Sequence, residues 1–250
     1  MRRIILISLA AIITLSLLFV AVRFRPQVKT EAIKKEKPVE LPVPAKPKYT
    51  LEPIKYFSFS ENDALKEWED KIFKGKVLYT IEKGDSPAYV RARSQASASA
   101  LYYKVKADAK TKSPILRWKW RVEKFPVKNL PETLESADEH DFAGRVYVVF
   151  PAMFILNSQV LEYIWAKDLP VGSTGTSPYS KNIKLMVLES GSAKDGNFVS
   201  EERDVAADYR KMFGEAPEHN IGAIAFMTNA EHTNTSADAM YDEIELGYKE

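Results

Sequence analysis

Cysteine is absent from the 250-residue sequence, histidine occurs three times and glycine ten times. Without cysteine there is no disulfide scaffold, zinc ribbon, thioredoxin-type motif or thiol nucleophile. No Gly-x-Ser-x-Gly nucleophile elbow occurs, since Gly172-Ser173-Thr174-Gly175 does not fit it. No His-x-x-x-His pair occurs either. Each histidine follows a glutamate, as in Glu139-His140, Glu218-His219 and Glu231-His232, so a zinc site would need loops to converge. A Gly-rich strand-to-helix turn and a strand–helix rhythm are both missing, which argues against a doubly wound nucleotide-binding fold. Charge of one sign is lacking as well, with 36 Lys+Arg against 34 Asp+Glu. That balance hides an asymmetry: residues 1–53 hold ten Lys/Arg and four Asp/Glu, whereas residues 54–250 hold 26 and 30. The larger part is acidic on balance, which disfavours nucleic acid as a partner. The length suits one sizeable domain with room for an anchor.

What is present begins with Arg2 and Arg3, followed by an uncharged apolar stretch from Ile4 to Val22. Its nineteen residues reach about 28 Å as a helix, close to the ~30 Å hydrocarbon core of a bilayer. A cleaved signal peptide has a shorter apolar core and a small-x-small exit, and Phe19-Val20-Ala21-Val22-Arg23 lacks that exit. Residues 1–25 are therefore read as an uncleaved signal anchor, a single-pass transmembrane helix in a bacterial inner membrane. The alternative is a cleaved signal peptide and a soluble periplasmic domain. Lys/Arg counts on the two sides, taken alone, favour a cytoplasmic C-terminus. The very short N-terminal flank is typical of segments that export the chain downstream of them, so the expected location of the domain is the periplasm. Residues 26–53 carry six of the fourteen prolines and read as a Pro/Lys-rich, semi-rigid spacer.

From residue 54 onward the period is mainly two. Leu116, Trp118, Trp120 and Val122 alternate with Arg117, Lys119, Arg121 and Glu123, as in a half-buried antiparallel strand. Further strands are expected at 76–82, 88–94, 99–107, 145–151, 161–166, 183–189, 196–201, 221–228 and 240–247. Asp204 caps an expected short helix carrying Val205, Tyr209, Met212 and Phe213, with Gly214 as its stop. A weaker helix is expected at 61–70. The pattern predicts a mainly β domain over 54–250, an antiparallel two-sheet sandwich with one or two short helices. Three long connections, 124–144, 167–182 and 229–239, would form a polar pocket if they gathered at one end.

Asp141-Phe142-Ala143-Gly144-Arg145-Val146-Tyr147-Val148-Val149-Phe150, Tyr163-Ile164-Trp165-Ala166, and Glu202-Arg203-Asp204-Val205 with Asp208-Tyr209-Arg210 and Phe213-Gly214 are three ordered motifs. With Met227-Thr228 and Tyr241-Asp242-Glu243-Ile244, they resemble an uncharacterised bacterial family of exported single-domain proteins over about residues 55–247. The resemblance implies export and carries no activity. Two departures from the family pattern remove carboxylates: His140-Asp141 stands for paired aspartates, and Asn229-Ala230-Glu231-His232-Thr233 for an Asp-x-Asp-Asn-Thr-like run. A weaker, architectural resemblance is to galactose-binding-like jelly rolls and carbohydrate-binding modules, on Phe57, Phe59, Trp68 and the closing Tyr241-Asp242-Glu243-Ile244. It implies a structural calcium at Asp242; no other cofactor is expected.

The leading function is non-catalytic binding of a glycan or other envelope ligand, with Asp141, Arg145, Trp165, Asn182 and Arg203 lining the site. Trp165 beside the Gly/Ser/Thr loop is the candidate sugar platform, whereas Trp118 and Trp120 read as core. The alternatives are a polysaccharide hydrolase with a carboxylate pair drawn from Asp141, Glu202 and Asp208, and a structural envelope protein that meets a partner.

Overall fold

The computed structural model describes residues 49–61, 63–83, 88–193 and 196–250. The apolar stretch 4–22 and most of the spacer lie outside them, and among the described residues no helix is long and apolar enough to cross a membrane. In chain order the strands are β1 (Leu51–Phe57), β2 (Glu69–Lys74), β3 (Leu78–Glu82), β4 (Tyr89–Gln95), β5 (Ala98–Ala107), β6 (Pro114–Lys124) and β7 (Gly144–Phe150). They continue with β8 (Gln159–Ala166), β9 (Thr174–Thr176), β10 (Ile183–Ser190), β11 (Val199–Asp204), β12 (Ile221–Asn229) and β13 (Ser236–Lys249). One helix, α1 (Val205–Phe213), lies between β11 and β12.

Alternation in β6 does what the sequence implies. Leu116, Trp118, Trp120 and Val122 are buried, while Arg117, Lys119 and Arg121 stay half-exposed. The strand lies in a six-stranded sheet ordered β11-β6-β13-β4-β3, with β1 also on β13. Facing it is a seven-stranded sheet ordered β2-β5-β12-β7-β8-β10-β9. Between the sheets Trp120 contacts Trp118 and Trp165, each with ring centroids 5.5 Å apart, and Trp118 lies 5.3 Å from Tyr163. Gly144 starts β7 against this stack. A Cβ there would lie 3.0 Å from Trp165 Cβ and 3.3 Å from the Trp120 ring, so a side chain would overpack the core.

β13 serves three neighbours. Residues 236–241 pair with β4 and residues 244–249 with β1, while β6 runs along its other side. The change of partner falls at Glu243, whose φ of 45° is left-handed, and the register against β6 shifts between Asp242 and Glu245. This bulge bends the strand to match both partners. α1 forms as expected: Asp204 accepts the Ala207 N–H at 2.9 Å, and Gly214, at φ 80°, ends it.

Three features differ from the sequence reading. β1 begins at Leu51, inside the segment read as spacer; Pro53 is tolerated because the register of β1 shifts beside it. The expected helix over 61–70 is only a 3-10 turn, Ala64–Glu67, after which Trp68 turns inward and β2 begins. The sandwich is not wholly antiparallel, because β8 and β10 are parallel. The long 167–182 connection, with short β9 in it, carries the chain back so that β10 can start beside the start of β8.

Register also fixes what lies at each end. Five of the six ends of the three long loops lie together, at Lys124, Gly144, Ala166, Asn229 and Ser236, whereas the 167–182 loop re-enters at Ile183 beside Val160, at the other end. Leu51 enters the sheet beside Lys249, also at that other end.

Candidate functional site

The outward face of the seven-stranded sheet is partly covered. Ile164, Ala166, Leu185 and Val187 pack against Leu134 and Phe142 of the β6–β7 loop, forming a second apolar cluster. All three long loops meet there. Glu132 ion-pairs with Lys128 at 2.8 Å and accepts the backbone N–H groups of Lys167 and Asp168 at 2.9 and 2.8 Å. Val127 N–H donates to Thr235 Oγ1 at 3.1 Å, joining the first loop to the third. Glu139 accepts the N–H groups of Asn129 and Leu130. Carboxylates of the acidic loop thus hold backbone amides.

Asp141 is fully buried where the loops meet. Its Oδ2 accepts Thr233 N–H at 2.7 Å and Thr233 Oγ1–H at 2.8 Å, and its Oδ1 accepts Asn229 Nδ2–H at 2.7 Å. Burial alone would raise its pKa, but the hydrogen bonds from His232 and Thr233 outweigh burial and hold it below the usual carboxylate range. Asn229 also donates to Glu231 Oε2 at 2.9 Å and accepts from Arg145 Nη1 at 2.9 Å and Phe142 N–H at 3.1 Å. Burial lowers the pKa of His232, but Asp141 and Glu231 more than offset it and raise it to about 9. Its Nε2 meets Tyr179 Oη at 2.8 Å.

Beside this network a cleft opens on the outward face of the sheet. Small and apolar residues of β5, β7, β8 and β12 make its floor: Ala100, Ala225, Met227, Val149 and Val160. Tyr147 and Phe73 stand on it, and Ser177 and Tyr179 form the wall from the β9–β10 segment. The polar end holds Arg145, Glu162, His140, Glu231 and His232. The space, mouth included, is ≈ 680 Å³. Arg145 and Glu162 form a buried pair at 2.5 Å, with side chains 6% and 2% exposed. His140 Nε2 lies 3.2 Å from the Leu134 carbonyl, so that nitrogen carries the proton. Burial, and next the Arg145 charge, hold the ring's pKa well below its ordinary value. Its bare Nδ1 is buried and has no partner.

A family model described as a protein of unknown function (DUF3047) matches residues 66–245. The chain belongs to this family. No curated protein matches the sequence. Among solved structures, the chain is similar to the family 11 carbohydrate-binding module from Clostridium thermocellum in complex with a β-1,3-1,4-mixed-linked tetrasaccharide. The two share 12% identity over 73% of this chain and 89% of that one, with a TM-score of 0.37. It is also similar to TmCBM61 in complex with β-1,4-galactotriose, at 9% identity over 77% and 94% and a TM-score of 0.37. Tailspike protein 4 of bacteriophage CBA120 matches at 9% identity over 76% of this chain and 20% of that one, with a TM-score of 0.39. Likeness at this level says nothing about what this chain binds.

The structure divides the residues singled out from sequence. Asp141 and Arg145 come together through Asn229, and Arg145 lines the cleft. Trp165 is no platform. It is 1% exposed, faces the sandwich interior and donates Nε1–H to the Gly191 carbonyl at 2.7 Å, because the outward positions of β8 are Glu162 and Ile164. Asn182 donates to the Leu156 carbonyl at 2.8 Å, beside the cleft wall and outside its lining. Arg203 grips Asp208 through two hydrogen bonds, 2.8 and 2.5 Å, and Tyr163 Oη donates to the same carboxylate at 2.9 Å. Glu202 pairs with Arg117 at 2.7 Å. Asp141, Glu202 and Asp208 therefore serve three separate networks and none lines the cleft. Asp242 is buried, has its pKa raised to about 6 mainly by burial, and accepts Glu243 N–H. It joins no cluster of three metal-ligating side chains among the described residues. Sequence reasoning missed Tyr147 and Glu162. The lone carboxylate in the apolar run Val160-Leu161-Glu162-Tyr163-Ile164-Trp165 was the available signal, since such a group needs a partner.

Glu201, next to Glu202, yields a pH prediction. Burial, then nearby Glu189, raises its pKa to about 8, against a hydrogen bond from Trp120 Nε1–H at 3.1 Å. A raised folded-state pKa gives stability that is fully present below the unfolded value, 4.5, and lost as pH rises through the folded one. Glu201→Gln keeps the neutral form at every pH. It should therefore gain on wild type by about 3–4 kcal/mol between roughly pH 5 and 8.5, measured as urea midpoints. An equal gap at both pH values would contradict this.

Proposed function

We propose that the domain is a non-catalytic binding module whose cleft takes a carbohydrate-like ligand. The observation that carries this reading is the cleft itself, an apolar floor that ends in the polar side chains of Arg145, Glu162 and His140, where the buried Nδ1 of His140 has no partner in the protein. Burying such a group costs about 1–3 kcal/mol unless a donor meets it, and a ligand hydroxyl is that donor. The rest of the cleft suits the same class. A flat apolar floor with Tyr147 and Phe73 offers C–H contacts. Arg145 and Glu162, already paired, offer planar polar atoms with little net charge.

In this reading the sandwich is a jelly roll of the galactose-binding-like kind, tethered by residues 1–25 to the inner membrane and exposed to the periplasm. Support for the placement comes from the two ends of the domain. Leu51 enters opposite Lys124, Gly144 and Asn229, so a tether upstream would leave the polar end of the cleft, at His140, Glu231 and His232, farther from the bilayer than its Val149–Val160 end. The exposed β7–β8 turn, with Met153 90% and Phe154 71% exposed, lies at the end where Leu51 enters.

The test is a glycan array probed with the whole protein, then with His140→Phe. The expected result is a binding glycan whose affinity falls about tenfold or more in the variant, the worth of one buried hydrogen bond, while the fold is kept. An array without a binder, or an affinity indifferent to His140→Phe, contradicts the reading.

A further inference from the structure

The loops bring one ligand atom each from Asp141, Glu231 and His232 within 4.8 Å of one another. His232 Nδ1 lies 3.3 Å from Asp141 Oδ1 and 3.0 Å from Glu231 Oε1. Three donors bound at ~2.1 Å to one ion, at angles of roughly 90–105°, would be ~3.0–3.3 Å apart. The two spacings to His232 thus match those of ligands to a single cation, and the third, between the carboxylates, lies within 4.8 Å.

The oxygens on the far side are held by the protein. Thr233 takes Asp141 Oδ2 twice, and Asn229 Nδ2 takes Glu231 Oε2 at 2.9 Å while bridging to Asp141 Oδ1 at 2.7 Å. Asn229 is itself fixed by Arg145 and the Phe142 N–H. On the other side of the imidazole, Tyr179 Oη meets Nε2 at 2.8 Å, so the ring's orientation is fixed. Partners of this kind preset ligands for a metal. Glu231 and His232 line the cleft, whereas Asp141 is sealed behind them, so further coordination positions would face the cleft. His140, whose buried Nδ1 has no partner, lines the same cleft as Glu231 and His232.

We propose that Asp141, Glu231 and His232 form a divalent transition-metal site at the polar end of the cleft, open toward it. One imidazole with two carboxylates suits zinc, cobalt or nickel. Calcium wants about 6–8 oxygens. This inference goes beyond the binding reading and does not rest on it, because the ion alone is the probe.

The experiment is calorimetric titration of chelator-treated whole protein with Zn²⁺, with Co²⁺ absorption as a second readout. One Zn²⁺ per chain is expected, with Ca²⁺ and Mg²⁺ at least about 100-fold weaker. His232→Ala should lose roughly 100-fold in Zn²⁺ affinity and the Co²⁺ bands, and His219→Ala neither. Glu231→Gln preserves the side-chain shape and should lose about tenfold or more, which keeps the test decisive if His232→Ala does not fold. No heat at excess Zn²⁺, or Zn²⁺ binding that survives both His232→Ala and Glu231→Gln, would overturn the proposal. Zinc binding with an empty glycan array would leave the site standing and remove the glycan reading alone.

Discussion

Arg145→Met is expected to cost about 3–5 kcal/mol of stability, a fall in Tm of roughly 6–20 °C for a domain of this size. The guanidinium is 6% exposed and gives Nε–H to Glu162 at 2.5 Å and Nη1–H to Asn229 at 2.9 Å. Burial works against its charge, yet Glu162 more than compensates and strengthens its hold on the proton. Removing it strands the Glu162 carboxylate, 2% exposed, in an apolar setting, and that desolvation is the main cost. It also removes one of the two donors to the Asn229 side-chain carbonyl, leaving the Phe142 N–H to hold the residue that joins Asp141 to Glu231. The double variant Arg145→Met, Glu162→Met removes both charges and should recover most of the loss, giving a coupling of about 2 kcal/mol or more. Equal losses in the single and double variants would show that the pair is not the source. Denaturant unfolding of the four proteins decides it.

Trp165→Ala is expected to cost about 3–5 kcal/mol, as large-to-small changes in a packed core do. The indole lies 5.5 Å from Trp120, touches Gly144 and is 1% exposed. Trp165→Phe keeps most of the contact and loses the hydrogen bond to the Gly191 carbonyl, so ~1–2 kcal/mol should go. Ligand affinity in Trp165→Phe should match wild type, because the ring faces the interior. A loss of affinity without further loss of stability would return Trp165 to the site.

Much of the fold was legible because one periodicity was clean. β6 alternates one buried and one half-exposed face, and α1 carries both its Asp204 cap and its Gly214 stop. β8 was harder, because Val160, Leu161, Glu162, Tyr163, Ile164 and Trp165 are all buried. Loops cover the face that would otherwise meet water, so alternation could not say which side held the core. Trp165 was placed on the wrong side for that reason. β9 is three residues long and β1 carries a proline, so neither offers a period to read. For the site, local chemistry drew attention to Asp141 and Arg145, and two of the three histidines, His140 and His232, were noted within stretches that depart from what the resemblance implies. Their meeting through Asn229, 88 residues from Asp141, depends on the pairing of β12 with β7, which single-sequence patterning does not carry.

The most direct measurement is chemical-shift mapping with the first glycan the array returns. Perturbations are predicted at Tyr147, Glu162, Met227, Tyr179 and His140, with the Arg117–Glu202 region silent. Shifts centred on the exposed face of the six-stranded sheet, or no saturable shifts anywhere, would contradict the assignment of the cleft as the binding site.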